Sequence, residues 1–174
     1  MNSDFRDLLR LFNAHKVRYL VVGGYAVMKY TEPRYTKDLD IWVEATPKNA
    51  KAVFKALRRF EAPLADLSEA DFAIEGFFYQ MGRPPARIDI LMSILGVAFA
   101  DAWLNRAASD FDGVTAHFIS IKDLIANKRA VGRPQDLIDV NSLVESEQRA
   151  DQVQARPQPR KKRSKRGRPD PGPD

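Results

Sequence analysis

Asp38 and Asp40 are the residues of this chain best spaced to do chemistry. They stand in the run Thr36-Lys37-Asp38-Leu39-Asp40-Ile41-Trp42-Val43. Its alternation predicts a strand with Leu39, Ile41 and Val43 on one face and Asp38, Asp40 and Trp42 on the other. Residues i and i+2 of a strand share a face roughly 6.5–7 Å apart. Two carboxylates at that spacing can converge on one divalent cation, and like charges so close call for a cation or a proton between them. An ordinary strand with two solvated acids has the same pattern, so the company these residues keep matters.

Three features keep them company. Gly23-Gly24 separates an apolar run, Val17 to Val22, from Tyr25 to Tyr30, which reads as a short helix. Such a turn is either a tight strand–helix connection or a place where a phosphate approaches exposed N–H groups and the positive end of a helix. Asp89, in Arg87-Ile88-Asp89-Ile90-Leu91, lies on the face opposite Ile88 and Ile90. Beside the first strand it would be a third acid for a two-ion phosphoryl-transfer site; apart from it, a surface acid. Lys128 falls on the inward stripe of a helix with Ile121, Leu124 and Ile125, where a lysine either snorkels outward or points into a polar cavity. Arg133, Asp136 and Asp139 follow, as a phosphate clamp or as a solvated face with an i, i+3 ion pair.

The elements that must position these groups can be traced in order. Phe5, Leu8, Leu9 and Phe12 recur at i, i+3, i+4 and i+7, an amphipathic helix ending near His15. Pro47 opens a second helix bearing Ala50, Val53, Phe54 and Leu57 on one face. Phe72 to Gln80 reads as a strand, Met81 to Pro85 as its turn and Arg87 to Leu91 as the partner strand. Residues 93–108 read as partly helical and Val114 to Ile119 as a strand. Ser120 with Asp123 resembles a capping box, and Pro134 opens a last helix to about Glu145. Alternation without βαβ regularity predicts an α+β fold, a mixed sheet with helices packed on it.

Composition bounds the rest. The 174 residues hold 44% hydrophobic residues and no cysteine, which allows one real core and excludes disulfides and thiolate chemistry. No apolar run is long enough to span a membrane. The charged N-terminus lacks a signal-peptide pattern, and a cytoplasmic protein is the expectation. From Arg149 to Asp174 nine Lys/Arg face three Asp/Glu, a balance of +6, which leaves residues 1–148 at −1 within a net charge of +5. The expected division is therefore a domain over 1–148 and a basic, proline-rich, disordered tail over 149–174. Such a tail can bind nucleic acid through phosphates, but has no aromatics for base stacking.

Gly23-Gly24, thirteen residues, Asp38-Leu39-Asp40 and then Ile88-Asp89-Ile90 resemble the nucleotidyltransferase signature of the DNA polymerase β-like superfamily. Arg34-Tyr-Thr36-Lys-Asp38-Leu-Asp40-Ile and Lys128-Arg-Ala-Val-Gly-Arg133-Pro-Gln-Asp136-Leu-Ile-Asp139 are similar, more narrowly, to the small bacterial AbiEii-type and minimal nucleotidyltransferases. The resemblance covers roughly residues 15–145. It implies the nucleotidyltransferase fold, with a mixed sheet of about five strands, and transfer of a nucleoside monophosphate from an NTP to an acceptor hydroxyl.

By the same resemblance, Asp38 and Asp40 hold two Mg²⁺ ions, and Asp89 binds the ion that activates the attacking hydroxyl. Gly23 and Gly24 cradle phosphates; Lys128 and Arg133 neutralise triphosphate charge, assisted by Arg34 and Thr36. The implied acceptor is RNA, tRNA or a protein side chain, and the implied partner a cognate toxin or antitoxin of a two-gene system. The alternatives are a non-catalytic nucleotide-binding module and a modifier of aminoglycoside or lincosamide antibiotics. Larger members carry a helical substrate domain, for which the residues after 145 leave no room.

Overall fold

A computed structural model of the chain describes residues 3–36 and 38–154. Six strands among them form one mixed sheet: β1 (Tyr19–Val22), β2 (Asp38–Val43), β3 (Phe78–Met81), β4 (Arg87–Leu91), β5 (Ala107–Phe111) and β6 (Val114–Phe118). The spatial order is β3-β4-β2-β1-β6-β5. β2 lies between an antiparallel β1 and a parallel β4, so the strand with the paired acids is interior to the sheet. The helices are α1 (Ser3–Ala14), α2 (Gly23–Tyr30), α3 (Pro47–Arg59), α4 (Phe99–Asn105), α5 (Ile121–Val131) and α6 (Pro134–Gln154).

The core forms where the apolar stripes meet the sheet. Phe5, Leu8, Leu9 and Phe12 of α1 are buried, as their spacing predicts, and so are Leu39, Ile41 and Val43 of β2. The other face of β2 is polar at Asp38 and Asp40 and turns apolar at Trp42, which packs edge-on against Phe99 of α4 at 4.9 Å between ring centroids. One strand thus carries a core face along its whole length and a functional face along half of it.

Local signals fix the ends of the helices. Thr46 caps α3 by accepting from the Asn49 N–H, and Pro47 follows as the first helical residue. Ser120 caps α5: its Oγ accepts from the Asp123 N–H as expected, and the second bond joins the two side chains, Ser120 Oγ donating to Asp123 Oδ2 at 2.7 Å. Gly132 ends α5 in the left-handed region at φ 69°, and its N–H closes on the Lys128 carbonyl. Pro134 then starts α6.

The elements differ from those expected in four respects. A 3₁₀ turn, Asp71–Ala73, replaces the first part of the predicted Phe72–Gln80 strand, leaving β3 only four residues. Phe72 is buried there against Phe54, Phe77 and Tyr79, so its aromatic signal comes from packing and not from the sheet. β5 begins at Ala107, inside the stretch expected to be partly helical, and the sheet has six strands instead of about five. Finally, α6 runs nine residues beyond Glu145 to Gln154, past the expected tail boundary at 149; the remainder of the predicted tail lies outside the described residues. No helix among the described residues is long and apolar enough to cross a membrane.

Asn49 ties these parts together. Buried in α3, it accepts from the Arg18 N–H at 2.8 Å and donates to the carbonyls of Arg18 and Glu44, both at 3.0 Å. Those two residues flank β1 and β2, so one amide clamps the strand pair. Asn49→Ala would leave three main-chain groups without this partner. It should lower the unfolding free energy by about 2 kcal/mol, read as a shifted denaturant midpoint at unchanged slope.

Candidate active site

The parallel register of β2 on β4 sets Asp40 opposite Asp89 and Asp38 opposite Arg87. On the outer side of β4, Gln80 of β3 pairs with Asp89; on the inner side, Val22 of β1 pairs with Asp40. Gln80, Asp89, Asp40 and the end of β1 therefore form one row across four strands. The structure brings Asp38, Asp40 and Asp89 to one face, each half-buried.

Gly23 and Gly24 begin α2 at the inner end of this row. Gly23 has φ 60°, and a Cβ there would overlap the Asp40 carboxylate. A Cβ at Gly24 would overlap the Thr36 hydroxyl. Gly23 is thus required by close approach as well as by turning, and Gly24 by close approach alone. Val22, at the cap position of α2, contributes no side-chain cap, so the first turn of the helix opens beside Asp40 without a protein oxygen from that position.

Clustering perturbs the acids. Burial, then the neighbouring Asp89 and Asp38 carboxylates, push Asp40 up to about 6, against the opposing fields of Lys128 and Arg87. Asp89 accepts from Gln80 Nε2 at 2.9 Å on one oxygen and contacts Arg87 Nη2 at 3.1 Å on the other. The same Arg87 Nη2 donates to Asp38 Oδ2, and Asp38 Oδ1 is buried without a hydrogen-bond partner. The set of hard oxygen donors, one of them orphaned, suits a hard divalent cation. No three acids among the described residues form a ready cage for a metal; the Arg87 guanidinium bridges Asp38 and Asp89 instead.

Lys128 takes neither of its two expected positions. It is buried and neither snorkels nor opens into a cavity: Nζ lies 2.7 Å from Asp136 Oδ1 and 2.9 Å from Asp139 Oδ2. Asp136 and Asp139 are buried too, so their start of α6 is not a solvated face. Arg133 Nε reaches Asp136 Oδ2 at 2.7 Å with most of its side chain exposed, and Arg34 Nη2 reaches Asp139 Oδ2 at 3.0 Å. Burial works to raise Asp136, but hydrogen bonds from Arg133 and Lys128 outweigh it and hold the carboxyl below its ordinary value. Three cations thus share two carboxylates, and the fields of Lys128 and Arg133 extend to Asp40.

Beyond Arg34 and Asp139 opens a cleft of about 590 Å³ between the end of α2 and α6, lined by Lys29, Tyr30, Glu32, Gln135 and Glu145 among others. It adjoins the cation network, while Asp38, Asp40 and Asp89 do not line it. Sequence reasoning missed Arg87 and Gln80. The signal for Arg87 was present: it stands two residues before Asp89 and shares its face by the same period of two.

The sign of the Asp40 effect is testable. With its native value raised above the ordinary carboxylate value, the stability it contributes is full below about pH 4 and is lost as pH rises through about 6. Asp40→Asn should therefore be more stable than the native chain at pH 7.5, by roughly 2 kcal/mol. Melting curves across pH should show that advantage vanish as pH falls below 4.

Comparison with known proteins bears on the family. The model of a family described as nucleotidyltransferase of unknown function (DUF6036) matches residues 4–156. No curated protein matches the chain. Among solved structures, the chain is similar to the lincosamide antibiotic adenylyltransferase LnuA in its lincomycin-bound form, with a TM-score of 0.51 and 16% identity over 84% of this chain and 98% of that one. At such identity the likeness speaks for the fold, which is that of a nucleotidyltransferase. The family match spans most of the sequence, and the chain belongs to this nucleotidyltransferase family.

Proposed function

We propose that the protein transfers a nucleoside monophosphate from an NTP to an acceptor hydroxyl in a metal-dependent reaction at Asp38, Asp40 and Asp89. The observation that carries this reading is the register that sets Asp40 directly opposite Asp89 with Asp38 two residues away. Held by these three carboxylates, two Mg²⁺ ions would neutralise triphosphate charge and ease deprotonation of the attacking hydroxyl.

The chain's own residues supply the rest. The uncapped first turn of α2, at Gly23 and Gly24, offers backbone N–H groups to phosphate oxygens. Thr36, packed on Gly24, borders that turn, while Arg34 stands with Asp139 in the cation network. Arg133, largely exposed, can swing a guanidinium to the triphosphate; Lys128, committed to Asp136 and Asp139, acts through its field. Asp89 is the group best placed to take the proton of the acceptor hydroxyl once the Arg87 guanidinium has moved off its Oδ2.

For the acceptor, the basic residues from Arg149 onward support RNA or tRNA, and the AbiEii-type likeness extends this to a protein hydroxyl and a toxin–antitoxin pair. The cleft beside Arg34 and Asp139 favours a second reading. Its size, about 590 Å³, is that of a site for a drug-sized molecule, and the similar LnuA structure holds lincomycin. The acceptor would then be the hydroxyl of a small molecule.

Incubation with Mg²⁺, each α-labelled NTP in turn, and either total RNA, cell protein or a panel of hydroxylated antibiotics should label one class of acceptor. Asp38→Asn, Asp40→Asn and Asp89→Asn should each lower the rate about 10³-fold, and chelation should abolish it. Label that persisted equally in the three variants would overturn the mechanism. Nucleotide binding without Mg²⁺-dependent turnover would instead identify a binding module.

A further inference from the structure

We propose that Arg87 is an internal counter-ion that stands in the place of the metal, and that it must leave before the acids can bind a divalent ion. This rests on the metal-dependent reading above and adds a residue to it. Arg87 Nη2 contacts Asp89 Oδ2 at 3.1 Å and also Asp38 Oδ2. One nitrogen therefore bridges the two carboxylates that flank Asp40 along and across the sheet. In the parallel register Arg87 sits opposite Asp38 and two residues before Asp89, so the backbone itself delivers the guanidinium to this point.

Two features make this a placeholder instead of a permanent ion pair. An arginine that clamps a carboxylate for structure uses its fork, two parallel N–H donors on two oxygens. Arg87 uses one nitrogen for both acids, and its Nε is buried with no hydrogen-bond partner. Asp38 likewise keeps one buried oxygen unpartnered. The bridge therefore leaves a donor and an acceptor unsatisfied that a different arrangement would satisfy. About a third of the Arg87 side chain is exposed, which leaves it a path outward. By contrast, Lys128 lies buried on two carboxylates with no such orphan.

The consequence is an order of events. With Arg87 in place, Asp89 has both oxygens engaged, one by Gln80 and one by Arg87, and the guanidinium holds the position a metal ion or an acceptor hydroxyl would take. A divalent ion alone must compete with a tethered cation. An ion arriving with a triphosphate brings negative charge to receive the displaced guanidinium. Metal should therefore bind weakly by itself and tightly with NTP.

Free Mn²⁺, followed by its paramagnetic resonance signal, tests this on the full chain without turnover. Arg87→Gln should bind Mn²⁺ about tenfold more tightly than the native chain in the absence of nucleotide, and Arg87→Lys should fall between. Adding Asp40→Asn to Arg87→Gln should restore weak binding. Equal affinity in the native and Arg87→Gln proteins, with Asp40→Asn weakening both, would overturn the role of Arg87 and leave the metal reading standing. Mn²⁺ binding indifferent to Asp40→Asn in either background would overturn both. The native chain gives a second measurement that needs no variant. In ¹⁵N-detected spectra of labelled arginine, the Arg87 Nη signals should lose their restrained rotation on saturation with Mg²⁺ and a non-hydrolysable NTP. Signals unchanged at saturation would also overturn the proposal.

Discussion

Mutual repulsion among three carboxylates on one face of a sheet is the constraint on which the rest of the structure depends. Like charges this close cannot all ionise in a half-buried place without compensation. The protein meets that demand in three ways at once. Asp40 has its proton affinity raised, Arg87 bridges its two neighbours, and the Lys128–Arg133 cluster supplies a positive field from behind. Each is a partial remedy. Together they describe a site stable enough to fold and still short of positive charge, as a site for phosphoryl chemistry should be.

The packing makes this frustration tolerable. β2 devotes one face wholly to the core, with Leu39, Ile41 and Val43 fully buried, and Asn49 clamps the loops at the start of β1 and the end of β2. A slip of one residue would move every acid into the core and every aliphatic residue out, so register and charge placement are one decision. The buried Lys128 follows the same logic: a buried ion pair is costly unless its hydrogen bonds are complete. Here two carboxylates of α6 hold the ammonium, and Arg34 and Arg133 in turn hold those carboxylates.

The legible part of the sequence was that in which one residue's environment follows from its own spacing. Helix α1, the two faces of β2, the Ser120 cap and the face of Asp89 opposite Ile88 and Ile90 all have that character, whereas its place beside Asp40 comes from the pairing of the two strands. Elements whose cause lies elsewhere were hidden. β5 is Ala-Ala-Ser-Asp-Phe, with little strand propensity of its own, and exists because β6 pairs with it along its whole length. The second half of α6 has no apolar stripe to announce it, yet Glu, Gln, Arg and Ala sustain a helix by propensity. The partners of Lys128 come from the next helix, so no pattern along α5 could name them. Arg87 differs: the same period of two that places Asp89 puts it on the acids' face.

The contact between Gly23 and Asp40 carries one more consequence. The glycine turn and the acidic strand look like separate marks along the chain, divided by a stretch whose length could serve as a ruler. In the folded protein the two marks touch directly. Val22 pairs with Asp40 across the ladder, and the missing side chain at Gly23 is the hollow into which the Asp40 carboxylate fits. The two marks are halves of one steric joint. A methyl group at position 23 would therefore unseat the Asp40 carboxylate, although fifteen or more residues of chain separate the two.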